Sequence, residues 1–146
     1  MKELPKFSER LTELMQENEN ITTDKLGDAI GVVGSVVRQW RMGNRYPTLE
    51  NTLRLADYFS CSIDYLAGRI QDDYQYTPKP VLPFHEQILS ILKERNLSWY
   101  RLVKDTKISD SNMRDWKRGC SPLLPRLIEL ANYFDISIDY LVGRDR

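Results

Sequence analysis

The chain of 146 residues holds a single histidine and two cysteines, and its formal net charge is zero. Cys61 and Cys120 belong to no CxxC pair and no Cys/His cluster, so neither a disulfide framework nor a zinc site is expected, and both read as reduced thiols. His85 stands beside Phe84 at the start of a helical pattern, where a solvated residue is expected rather than a catalyst. No carboxylate cluster has a plausible metal geometry, which leaves nuclease or other enzyme chemistry without its machinery, and no cofactor is called for. A run of about 18 apolar residues is missing, and so is a signal-peptide layout; a soluble, cytoplasmic chain with no membrane partner is expected. Strand-like alternation is absent throughout, so the expected class is all-α. The zero net charge hides an asymmetry. Residues 1–76 carry 9 Lys+Arg against 12 Asp+Glu, and residues 77–146 carry 12 against 9.

What the chain does contain is a repeat. Ser62-Ile63-Asp64-Tyr65-Leu66-Ala67-Gly68-Arg69 returns as Ser137-Ile138-Asp139-Tyr140-Leu141-Val142-Gly143-Arg144, differing at one position. The flanks keep step: Ala56-Asp57-Tyr58-Phe59 matches Ala131-Asn132-Tyr133-Phe134, and Arg38-x-Trp40-x-x-Gly43 matches Arg114-x-Trp116-x-x-Gly119. Phe7 and Phe84 open the copies, and the offset drifts from 77 to 75 residues, as single-residue length changes in two loops would give. Two long copies imply two domains, residues 1–69 and 84–146, joined by a linker over 70–83; a stacked solenoid needs at least three short repeats.

Each copy reads as five helices. Phe7, Leu11, Leu14 and Met15 share one helical face, and Asn18-Glu19-Asn20 ends that helix. Thr22 or Thr23 caps a second helix with Leu26 and Ile30 inward, which Gly31 stops through a positive φ. A third runs from about Gly34 to Met42 with Val36, Val37 and Trp40 inward, and Gly43 closes it. Thr48 caps a fourth through Leu49, Leu53, Leu55, Ala56 and Phe59, and Ser62 caps a fifth that Gly68 ends. In the second copy the first helix carries Phe84, Ile88, Ile91 and Leu92. Ser98 and Ser109 cap the next two, Met113 and Trp116 sit in the third, and Leu123, Leu127, Leu130 and Phe134 form the fourth.

Two short helices separated by a tight turn, inside a five-helix unit of about 60 residues, make a helix-turn-helix arrangement. The stretch from Ile21 through Gly31 and Val32 to Gly43, with Pro47, Leu49 and the final Ser-Ile-Asp-Tyr-Leu, resembles the lambda-repressor/Cro-like (Xre) family of bacterial and phage regulators. The likeness covers nearly all of both copies. It implies two tandem lambda-repressor-like DNA-binding domains whose third helix enters the major groove with its N-terminal residues at the base edges. Carried onto this sequence, the base-contacting positions are Val33, Gly34, Ser35 and Arg38, and Ser109, Asp110, Ser111, Asn112 and Arg114. Their chemistry suits the task. Arginine presents two donors to guanine, asparagine pairs with adenine, and aspartate accepts from a cytosine amino group. Phosphate contacts fall to Thr22, Thr23, Lys25, Arg41, Arg45 and Tyr46, and to Ser98, Trp99, Tyr100, Arg101, Lys117 and Arg118, with Lys104 and Lys107 adding basic character. Trp40 and Trp116 are expected in the core.

The sequence also departs from the family. A glutamine common near the start of the recognition helix is replaced by Gly34 and Asp110, and one at the start of helix two by Thr23 and Trp99. Val103 stands where the first copy has Gly27, and Lys107 where it has Gly31, a strained choice if that position keeps positive φ. The linker holds three prolines in its last six residues. Fourteen residues at about 3.1 Å each reach roughly 43 Å, and adjacent major grooves on one DNA face lie about 34 Å apart. One chain is thus expected to span two unlike half-sites of a double-stranded operator, unless Tyr74, Tyr76, Val81 and Leu82 pack onto the domains. The function expected is a sequence-specific transcriptional regulator, a repressor. The competing class is a protein-interaction or dimerisation module, partnered by a second copy or a regulatory protein, which Asp110 and the acidic first copy favour.

Overall fold

The apolar spacing resolves into ten α-helices and no strand among the residues that the computed structural model describes, 7–71 and 81–144. The first five are α1 (Phe7–Glu17), α2 (Thr23–Ile30), α3 (Gly34–Met42), α4 (Leu49–Phe59) and α5 (Ile63–Leu66). The others are α6 (Phe84–Glu94), α7 (Trp99–Asp105), α8 (Asp110–Lys117), α9 (Leu124–Phe134) and α10 (Ile138–Leu141). Helices α1–α5 fall in one compact unit; α6–α8, α9 from Arg126 onward and α10 fall in a second. Linker residues 72–80, including Tyr74 and Tyr76, lie outside the described residues. No described helix is long and apolar enough to cross a membrane.

Each unit has its own apolar centre. In the first it is built from Phe7, Leu11, Leu14 and Met15 of α1, Leu26 and Ile30 of α2, Val37 and Trp40 of α3, and Leu55 and Ala56 of α4. The second uses Phe84, Ile88, Ile91 and Leu92 of α6, Leu102 of α7, Met113 and Trp116 of α8, and Leu127, Leu130 and Phe134 of α9. Both tryptophans are therefore core residues, as expected. Trp116 lies edge-on to Phe84 with ring centroids 4.8 Å apart. Several positions differ from the sequence reading. Val36, Leu53 and Phe59 are only half-buried, while Thr52 is buried and donates its hydroxyl to the Thr48 carbonyl at 2.7 Å. Helix α9 begins one residue later than its pattern implied, so Leu123 is 50% exposed. His85 is half-buried rather than fully solvated: its side chain is 24% exposed and its Nδ1 is buried.

The repeated phrase is explained by its own chemistry. Ser62 Oγ accepts the Tyr65 N–H at 3.0 Å, and Ser137 Oγ accepts the Tyr140 N–H at 2.9 Å, capping α5 and α10. Gly68 and Gly143 then take left-handed φ of 83° and 84°. That turn brings the Arg69 and Arg144 N–H groups onto the Asp64 and Asp139 carbonyls, each at 2.8 Å. The same arginines pair through their side chains with the same aspartates: Arg69 with Asp64, and Arg144 with Asp139 at 2.7 Å. A one-turn helix too short to be stable alone is held by a cap, a glycine turn and a buried ion pair, which is why the serine, aspartate, glycine and arginine recur together. Each phrase is read by the first helix of its unit. Arg10 donates to the Tyr65 carbonyl at 2.6 Å with its guanidinium 3.8 Å from the Tyr65 ring centre, and Gln87 donates to the Tyr140 carbonyl at 3.3 Å.

Two phenols in the second unit are tied to carboxylates. The Tyr133 hydroxyl donates to Asp105 at 2.7 Å, and the Tyr140 hydroxyl donates to Glu94 at 2.8 Å. Each bond raises the tyrosine's pKa, and the Tyr133 bond, followed by the Arg101 guanidinium, holds Asp105 below the usual carboxylate value. The signs are opposite. The tyrosine contributions are complete below the unfolded pKa of about 10 and fade as pH rises through the folded values; the Asp105 contribution is complete above about 3.9 and fades as pH falls. In an ultraviolet titration of phenolate absorbance, Tyr133→Phe together with Tyr140→Phe is expected to remove the latest-ionising component.

Candidate nucleic-acid interface

In the first unit the α2–α3 pair starts from a firm cap. Thr22, not Thr23, is the N-cap, and its Oγ1 accepts the Lys25 N–H at 3.1 Å. Gly31 ends α2 in the left-handed region at φ 86°, the conformation its position in the sequence demanded. The two helices then approach each other through glycine. A Cβ on Gly27 would stand 2.4 Å from the Val32 carbonyl oxygen, and one on Gly34 would stand 3.0 Å from Asp24 Cα. Neither position has room for a side chain, so the backbones pack directly.

Four of the expected contact residues line one cleft. A shallow cleft of about 600 Å³ is lined by Thr22, Thr23, Arg38 and Arg41, with Thr12, Asn20, Ile21 and Met42 completing it. Arg41 is half-buried, and its Nε donates to Thr12 Oγ1 at 3.4 Å. Arg38 is exposed, and its side chain makes no hydrogen bond or ion pair among the described residues. Ser35 and Lys25 are exposed, Gly34 is half-buried, and Val33, the N-cap of α3, is 66% exposed with an apolar side chain facing water. Arg45 and Tyr46 follow α3 on an exposed loop, with the Tyr46 ring 6.4 Å from Phe7. Thr12, Asn20 and Met42 were not singled out by sequence reasoning.

The second unit presents the matching residues differently. Helix α7 stops at Asp105 because Thr106 is extended, at φ −129° and ψ −176°. The Thr106 hydroxyl donates to the Leu102 carbonyl at 2.7 Å and accepts the Ile108 N–H at 3.1 Å, so the turn is made without glycine. Lys107 is not among the residues of positive φ, and the strain anticipated there does not arise. At the start of α8, Asp110 Oδ1 accepts the Trp99 indole N–H at 2.7 Å, and Trp99 lies edge-on to Trp116 at 6.3 Å. Asn112 Oδ1 accepts the Ser109 N–H at 2.8 Å, closing a capping box. Ser109 and Ser111 share a hydrogen bond of 2.8 Å between their hydroxyls. Arg114 and Lys117 are exposed, and neither side chain is paired among the described residues. Arg101 pairs with Asp105 at 3.1 Å and Arg118 with Asp115 at 2.5 Å. Ser98 caps α7 by accepting the Arg101 N–H at 3.0 Å, and Tyr100 is 71% exposed. No group of three or more His, Cys, Asp or Glu side chains able to hold a metal occurs among the described residues.

The chain matches no family profile and no solved structure. Over 68 residues it is 34% identical to the cryptic phage CTXphi transcriptional repressor RstR of Vibrio cholerae. The match takes in 47% of this chain and 60% of that repressor's length, a stretch comparable to one copy of the repeat.

Proposed function

We propose that this chain is a sequence-specific, double-stranded DNA-binding transcriptional regulator of the cytoplasm, a repressor built from two tandem helix-turn-helix domains of lambda-repressor type. The observation that carries the reading is the first unit's α2–α3 face, where Thr22, Thr23, Arg38 and Arg41 line one cleft and Arg38 is exposed and unpaired. Likeness to a protein named as a phage transcriptional repressor supports it. In this reading α3 enters the major groove. Arg38 addresses guanine, Ser35 a neighbouring base edge and Val33 a thymine methyl, while Gly34 lets the backbone come close. Thr22, Thr23, Lys25, Arg41, Arg45 and Tyr46 hold the phosphates.

Selection of bound duplexes from a random pool at near-physiological salt tests the proposal; recovery of an enriched sequence supports it, and none sinks it. On the selected sequence Arg38→Ala is expected to weaken binding by about 1–3 kcal/mol, roughly five- to 150-fold, with a much smaller effect on unrelated duplexes. A second reading, a protein-interaction or dimerisation module, is favoured by the carboxylate of Asp110 at the start of α8, a poor neighbour for phosphate. Self-association without any DNA binding would move that reading to the front.

A further inference from the structure

We infer that the two units divide the work: the first reads base sequence, and the second grips the phosphate backbone of the same duplex without reading it. The inference rests on the DNA-binding reading above and assigns the second unit a distinct ligand, the uniform polyanion rather than any base pattern.

Two independent observations carry it. The first is what the base-edge positions of α8 are already doing. Direct readout needs side-chain donors and acceptors left over for the bases. Asp110 Oδ1 is taken by the Trp99 indole, Asn112 Oδ1 by the Ser109 N–H, and the Ser109 and Ser111 hydroxyls by each other. To pair with adenine, Asn112 would have to give up a capping bond of its own helix, because its Oδ1 already accepts both the Ser109 N–H at 2.8 Å and the Ser109 hydroxyl at 3.2 Å. Asp110 is held by Trp99, itself edge-on to the core residue Trp116, so it keeps only its second carboxylate oxygen, in the orientation that the indole sets. Only Arg114 is unengaged, and one arginine without fixed neighbours is an anchor for phosphate as readily as for guanine. In α3, by contrast, Val33, Ser35 and Arg38 have no side-chain hydrogen bonds among the described residues.

The second observation is charge. Residues 98–118 hold six Lys and Arg against three Asp, whereas residues 22–42 hold three against two. Lys104, Lys107 and Lys117 are all exposed, and none is in an ion pair among the described residues. A surface that is rich in lysine outside ion pairs and poor in free hydrogen-bonding groups suits counterion release from a duplex, which depends on phosphate spacing and is blind to sequence. Held on one chain, such a grip raises the effective concentration of the reading unit at its site.

The test uses the full chain in the random-duplex selection and in equilibrium binding across salt concentrations. Wild type is expected to enrich one short contiguous motif, and Asp110→Ala, with or without Asn112→Ala, is expected to leave that motif unchanged. Replacing Lys104, Lys107 and Lys117 together by Ala is expected to weaken selected and unrelated duplexes by the same factor and to flatten the salt slope by about three. Arg114→Ala should likewise act equally on both duplexes. Two unlike half-sites, one of them lost in Asp110→Ala, would overturn the inference while leaving the DNA-binding reading intact. So would a lysine variant that binds as well as wild type, provided its helical signal is unchanged. Failure of wild type to bind any duplex would instead sink the reading on which the inference rests.

Discussion

Asp139→Ala is expected to unfold the second unit, or nearly so. Arg144 is fully buried and Asp139 is 1% exposed, and their side chains meet at 2.7 Å. Removing the carboxylate leaves a guanidinium in the protein interior without its counter-charge, which costs about 3–5 kcal/mol. A single core in a unit of this size rarely supplies more than about 3–5 kcal/mol in total, so the loss is comparable to everything that holds the unit together. Asp64→Ala in the first unit should be milder, because the Arg69 side chain is 18% exposed and water can take over part of the lost interaction. Trp40 lies in the first unit and Trp99 and Trp116 in the second, so urea unfolding followed by fluorescence in single-tryptophan backgrounds resolves the two. Replacing both partners, Asp139→Leu with Arg144→Met, should recover most of the stability, since apolar side chains of similar volume often match a buried pair. If Asp139→Ala unfolds at the same urea concentration as wild type, the ion pair contributes nothing and the repeated phrase needs another explanation.

The phrase also shows what could be read from sequence and what could not. Its repetition announced two copies, and Ser62 and Gly68 announced a capped turn closed by glycine, because caps and glycines act on residues nearby in the chain. The same locality made Thr48 and Gly43 legible, and narrowed the cap of α2 to Thr22 or Thr23. Apolar spacing placed Phe7, Leu11, Leu14 and Met15 together correctly, since a helix fixes which residues share a face. It failed by one residue at Leu123, where two adjacent leucines left the start of the helix undetermined. What stayed hidden depends on pairs far apart in sequence. Nothing in the chain order links Trp99 to Asp110, yet that contact engages a residue the motif alone would assign to cytosine. The half-burial of His85 was equally invisible, because it depends on packing around the side chain rather than on its neighbours in sequence. Motif position named the candidate site residues; which of them keep free hydrogen-bonding groups became visible only with side chains in place.

Gly27→Val, which installs the residue that the second copy carries as Val103, is expected to lower the first unit's stability by about 2–3 kcal/mol, at the upper end of overpacking effects. Helix propensity argues the other way, because valine is better than glycine within a helix by roughly 0.4 kcal/mol. Packing wins on magnitude. The new Cβ would stand 2.4 Å from the Val32 carbonyl oxygen and 3.3 Å from the Gly34 nitrogen, and both are backbone atoms that no rotamer change can move aside. Helix α2 must therefore back away from the turn and from α3. For a unit of about 60 residues a loss of this size lowers the melting temperature by roughly 10–20 °C. The displacement has a functional side, because Thr22 and Thr23 sit on α2 side of the cleft and Arg38 on the α3 side. In the proposed DNA-binding reading, moving those groups apart separates the phosphate contacts from the base contacts that must reach one duplex together. Affinity for the selected sequence should then fall even at temperatures where the variant is folded. Val103→Gly in the second unit should have a different effect: a loss of roughly 0.4 kcal/mol from helix propensity, and no tightening of α7 on α8, because Asp110 still occupies the second close approach. A Gly27→Val protein that melts with wild type and binds as tightly would show that the α2–α3 contact is looser than these distances require, and with it would go the reason the two units differ.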